Sequence, residues 1–91
     1  MKRLFRVTAA HIADGKRGAD TSCPIALAFA DAGYAAHVFY GKFRLSSDAA
    51  FNRRHLSAKA HEFVRRFDAY LPVEPFNFYA DVSLGVGSVP Y

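Results

Sequence analysis

Between Ser57 and Pro72 the apolar residues Ala60, Phe63, Val64, Phe67 and Leu71 recur at steps of 3, 1, 3 and 4. That spacing draws one stripe along a helix, and the proline closes it. After Pro75 the pattern changes to alternation. Phe76, Phe78, Ala80 and Val82 fall on one side, with Asn77, Tyr79 and Asp81 on the other, so a strand is expected there. Earlier in the chain, Ala36 to Tyr40 and Phe43 to Leu45 flank Gly41-Lys42, the pattern of two strands joined by a tight turn. The run Pro24 to Ala30 is apolar on every face. Proline suits the first helical position, so a buried helix is expected from Pro24 to about Ala32, with Cys23 as N-cap and Gly33 as its left-handed stop. Leu4 to Thr8 reads as a first strand, Thr8 as the cap of a brief helix through Ile12, and Asp14-Gly15 as the stop of that helix. Lys16 to Thr21 and Ser46 to Arg54 lack periodicity and read as connections.

The order is strand, short helix, buried helix, hairpin, amphipathic helix, strand. This is an α+β domain with three or four strands, antiparallel or mixed, and the buried and amphipathic helices on one face. Residues 1–82 form the single domain, and 83–91, with Gly85, Gly87 and Pro90, read as a flexible tail. With 91 residues, 52% of them hydrophobic and 22% charged, disorder and low complexity are excluded. No apolar run approaches the length of a membrane span, and Arg6, Thr8 and His11 interrupt any secretory leader, so the expected compartment is a reducing cytoplasm. The single cysteine cannot form an internal disulfide.

Four segments in order carry a resemblance: His11-Ile12-Ala13-Asp14-Gly15, Cys23-Pro24-Ile25-Ala26-Leu27-Ala28, Phe63-Val64-Arg65-Arg66-Phe67-Asp68, and Pro72 to Phe78. Together they resemble a group of short uncharacterised proteins of actinobacterial phages and their hosts. The likeness spans about residues 4 to 80, and the Cys-Pro-Ile-Ala-Leu-Ala segment is its most specific part. It implies a phage accessory protein acting in the cytoplasm of an infected bacterium. It brings no established chemistry; small phage proteins often act by binding, inhibitors of host defence among them.

Candidate chemistry lies in four places. Cys23 at a helix N-cap faces unpaired N–H groups, which favour thiolate, and His11 one loop earlier is the nearest candidate base. A small, mildly polar cap for a buried helix explains the same residue. The loop ahead of that helix carries Lys16, Arg17, Thr21 and Ser22, a candidate site for a small anion, although Asp14 and Asp20 would repel it and no Walker ending is present. Arg53, Arg54, Lys59, Arg65 and Arg66 form a candidate nucleic-acid or partner surface, against which Glu62 and Asp68 offer ordinary ion pairs. Nine Phe and five Tyr are many for so short a chain, so Phe39, Tyr40, Phe76, Phe78 and Tyr79 are candidates for an association surface and a homo-oligomer.

The four histidines have no metal-ligand spacing, and no catalytic motif or cofactor fingerprint is present, so neither metal nor cofactor is expected. Binding therefore ranks first: a non-enzymatic interaction protein gripping a host protein or a small anionic ligand one for one. A nucleic-acid binder ranks second and a thiol-dependent enzyme at Cys23 third.

Overall fold

The computed structural model describes residues 2–39, 41–48 and 53–82. In chain order the elements are β1 (Lys2–Val7), α1 (Ala9–Asp14), α2 (Pro24–Asp31), β2 (Ala36–Phe39), β3 (Lys42–Leu45), β4 (Arg54–His55), α3 (Ala58–Asp68) and β5 (Phe76–Asp81). The α+β class stands. Among the described residues the strands number five and fall into two antiparallel sheets, β1-β5 and β2-β3-β4. The strand beyond the expected three or four is β4, taken from the end of a stretch whose polar composition reads as a connection.

Alternation explains β1 and β5. Phe5 and Val7 lie opposite Phe78 and Phe76 on the inner side, while Leu4, Arg6, Asn77 and Tyr79 face outward. Between the two sheets sits α2, buried at Pro24, Ile25, Ala26, Ala28 and Phe29. Phe29 is the hub of the core. Its ring centroid lies 4.6 Å from Phe5 of β1, 4.8 Å from Phe43 of β3 and 5.6 Å from Phe78 of β5. The cluster continues to α3 through Phe78, Phe76, Phe63 and Phe67.

The helix ends follow the sequence closely. Thr8 caps α1 in a reciprocal box: its hydroxyl accepts from the His11 N–H, and its own N–H donates to His11 Nδ1. Ser57 Oγ accepts from the Ala60 N–H at the start of α3. Gly33 has φ +93°, and the Tyr34 N–H reaches back to the Phe29 carbonyl, closing α2 as expected.

Two local expectations are corrected, at Lys42 and Leu71, and a third is refined. Gly15 ends α1 as expected, but as an extended cap at φ −70° and ψ 149°; what requires glycine is space, because an added Cβ would sit 2.5 Å from Pro24 Cδ. Lys42 pairs with Phe39 and belongs to β3, not to the turn. This register keeps Val38 and Phe43 opposed on the buried side. Leu71 lies outside α3 and is 42% exposed, because the chain leaves the helix through Tyr70 at φ +63°. Tyr40 and the expected tail 83–91 fall outside the described residues.

Candidate functional site

The β2-β3-β4 sheet has two unlike faces. On the inner face are Ala36, Val38, Phe43, Leu45 and Arg54, all buried. Strand alternation sends the intervening residues outward. Phe39, Lys42 and His55 form a row across all three strands, with His37 and Arg44 as the neighbouring pair. Two further groups join from outside the sheet. The Arg53 guanidinium carbon lies 4.7 Å from the centroid of the Phe39 ring. The His61 ring of α3 packs where a Cβ on Gly41 would come within 2.8 Å of it, so the absence of a side chain at Gly41 lets α3 approach the hairpin. The result is a concavity of about 500 Å³ lined by Phe39, Gly41, Lys42, Arg53, His55 and His61. Those lining residues include two permanent cations, two imidazoles and an aromatic ring, and no carboxylate.

A buried ion pair holds this sheet in place. Arg54 donates from Nε to Asp48 Oδ2 at 2.9 Å and from an Nη to Oδ1 at 2.7 Å, with both side chains 5% exposed or less. A further Nη–H of Arg54 donates to the Asp81 carbonyl at 3.1 Å, tying β4 to β5 across the two sheets. Asp48 also accepts from the Leu45 N–H. Burial alone would raise this carboxyl, but the hydrogen bonds from Arg54 and Leu45 outweigh it and hold Asp48 below its ordinary value.

The five basic residues singled out from the sequence do not form one surface. Arg54 is inside the protein, spent on Asp48. Arg65 makes a two-point pair with Glu62 at 3.0 and 2.6 Å, and this contact lowers the Glu62 carboxyl. Arg66 donates twice to the Pro72 carbonyl, and the Lys59 ammonium lies 5.6 Å from the Phe76 ring centroid. Arg53 alone of the five lines the basic concavity. Its other cation, Lys42, falls at a turn position in the sequence pattern, and His55 and His61 lack metal-ligand spacing, so neither points to this site on its own. The alternation of His37, Phe39 and then Lys42, Arg44 was the available signal.

The loop ahead of α2 is not basic where a ligand would meet it. A cavity of about 310 Å³ there is lined by Gly18, Ala19, Asp20, Cys23, Val38, Phe39, Val64 and Asp68. Its charged groups are the carboxylates of Asp20 and Asp68, which oppose an anion. Arg17 is turned away from it: its Nε donates to the Phe67 carbonyl at 2.9 Å, and its guanidinium lies over the rings of Phe67 and Tyr70. The Lys16 N–H closes the loop on the Ser22 carbonyl at 2.9 Å, and Lys16 and Thr21 are exposed.

Cys23 makes no side-chain capping bond and is 6% exposed. Desolvation raises its thiol above the ordinary value despite the Ala26 and Ile25 N–H groups, the reverse of the expected activation. Its candidate base is occupied as well. His11 Nδ1 accepts from the Thr8 N–H, which leaves the Nε2 proton directed at Asp31.

The aromatic candidates also divide. Phe78 is core at 2% exposure, Phe76 is half-buried against Phe63, and Phe39 is half-buried on the basic face. Tyr79, 59% exposed, lies beside its cross-strand partner Leu4, 39% exposed. Among the described residues no group of three or more His, Cys, Asp or Glu side chains could hold a metal ion, and no helix is long and apolar enough to cross a membrane. Compared with family models, with curated proteins and with solved structures, the chain matches none.

Proposed function

We propose that this protein acts by stoichiometric binding, and that the outer face of β2-β3-β4 grips an anionic partner. The carrying observation is the concavity of about 500 Å³ in which Lys42, Arg53, His55 and His61 meet around Phe39 with no carboxylate among the described lining residues. Charges of one sign gathered on a concave surface raise the local concentration of the opposite ion and speed its capture. The formal net charge of +4 acts in the same direction. Supporting a binding role over a thiol-dependent one, Cys23 is buried with a raised thiol and His11 is engaged elsewhere. The resemblance noted in the sequence suggests the setting, an accessory role in a phage-infected bacterial cell, with self-association through Leu4 and Tyr79 as a further part of the reading.

Titrating isotope-labelled protein with pyrophosphate tests the site. Amide shifts should concentrate at Phe39, Lys42, His55 and His61, saturate at one ligand per chain, and vanish in the Lys42→Gln/Arg53→Gln double variant. Shifts centred on the Lys16 to Ser22 loop, or none at millimolar pyrophosphate, would overturn the assignment.

A further inference from the structure

We infer that the partner of the basic face is single-stranded nucleic acid. This rests on the anion-binding reading above and adds the class of ligand. The argument begins with what the face contains besides charge. An acidic protein segment or a free phosphate is satisfied by cations alone, but this surface sets an aromatic ring in the middle of them. Phe39 lies in the row Phe39, Lys42, His55 that runs across the three strands. The His37 ring is nearly parallel to it, at 5° between planes with centroids 6.2 Å apart, and the Arg53 guanidinium lies over it at 4.7 Å. Phenyl, imidazole and guanidinium are the planar groups on which unpaired bases stack, and stacking accepts any base because every base has a π-face.

The geometry separates single strands from duplexes. A duplex hides its base faces inside the stack, so it could use the cations here and not the rings. A single strand uses both, laying bases against the planar groups and its phosphates along Lys42 and, two residues further on β3, Arg44. A concavity of about 500 Å³ falls in the range of small-ligand sites, sufficient for a base with its sugar. Asp20, 3.3 Å from His37 Nδ1, is a carboxylate at the rim, which sets the β2 end of the path as its less favourable side. Arg54 contributes structure and no contact, since it is buried on the opposite side of the sheet.

The test measures anisotropy of a labelled eight-nucleotide oligo-dT, with a blunt DNA duplex of the same length and an eight-residue poly-Glu peptide as the alternatives. The single strand should bind at least about fivefold tighter than the duplex, the loss expected when a single stacking contact is removed. Its affinity should fall as salt rises. Phe39→Leu should weaken oligo-dT by about fivefold or more while leaving poly-Glu binding unchanged. Lys42→Gln/Arg53→Gln should weaken both probes and flatten the salt dependence, and it carries the test if Phe39→Leu lowers the melting temperature. Equal or tighter binding of poly-Glu, or of the duplex, overturns the single-strand inference and leaves the anion-binding face standing. Binding of none of the three overturns both.

Discussion

Asp48 is the residue at which the interior depends most on a single partner. Its carboxylate is 1% exposed and is held by two bonds from Arg54 and one from the Leu45 N–H. Removing one member leaves a buried charge uncompensated, so Asp48→Asn should destabilise the protein by about 3–5 kcal/mol in urea unfolding. The pH dependence has a definite sign. The folded-state value lies below the unfolded one, so the stabilisation is complete above about pH 4 and drains away as pH falls through the folded value. Urea midpoints measured from about pH 5 down to about pH 2 should therefore drop for the wild type more steeply than for Asp48→Asn. At Cys23 the outcome is kinetic. A buried thiol with a raised value should react with a disulfide reagent at neutral pH more than about tenfold slower than a free thiol, and at the free rate once denaturant is added.

Among the elements, the starts of α2 and α3 each suggest a substitution. Gly15, directly after α1, makes room for Pro24 at the start of α2; a methyl group there would lie 2.5 Å from Pro24 Cδ and 2.8 Å from the His11 carbonyl oxygen. Neither contact is the tip of a flexible chain, so Gly15→Ala should cost about 1–3 kcal/mol, although its backbone angles suit alanine. At α3 the Ser57 cap is the weak point. Ser57→Ala removes the acceptor for the Ala60 N–H and should lower stability by about 1 kcal/mol in the same unfolding assay. The stripe Ala60, Phe63, Val64 and Phe67 was legible because a helix face is written at fixed spacing; Leu71 continued the spacing but not the helix, because Tyr70 adopts a positive φ and turns the chain out.

For the whole molecule the decisive feature is how charge is segregated around Phe39. This residue lines both the cavity with Asp20 and Asp68 and the concavity with Lys42 and Arg53. An anion approaching one side of the ring is attracted, and on the other it is repelled. Exchanging Lys16 and Arg17 together for alanine should therefore leave pyrophosphate affinity within about twofold, since neither residue lines the concavity and solvent-exposed charges that make no contact there are screened by salt. It should lower the melting temperature, because Arg17 holds the Phe67 carbonyl and covers the Phe67 and Tyr70 rings. A loss of pyrophosphate binding in that variant, with melting unchanged, would return the site to the loop.

By itself the sequence determined the elements and which side of each is apolar: the capped helices, the stop at Gly33, the stripe of α3 and the alternation of β5. These are local properties, set by backbone preference and by periods of two or 3.6 residues. Tertiary structure alone decided the rest. Which strands pair depends on contacts between distant parts of the chain, so nothing local joins Lys2–Val7 to Phe76–Asp81 or makes a strand of Arg54–His55. The same holds for charge. A run of arginines looks like a surface until one of them is neutralised inside by Asp48, while Lys42, Arg53, His55 and His61, drawn from three segments, become neighbours when the hairpin meets α3.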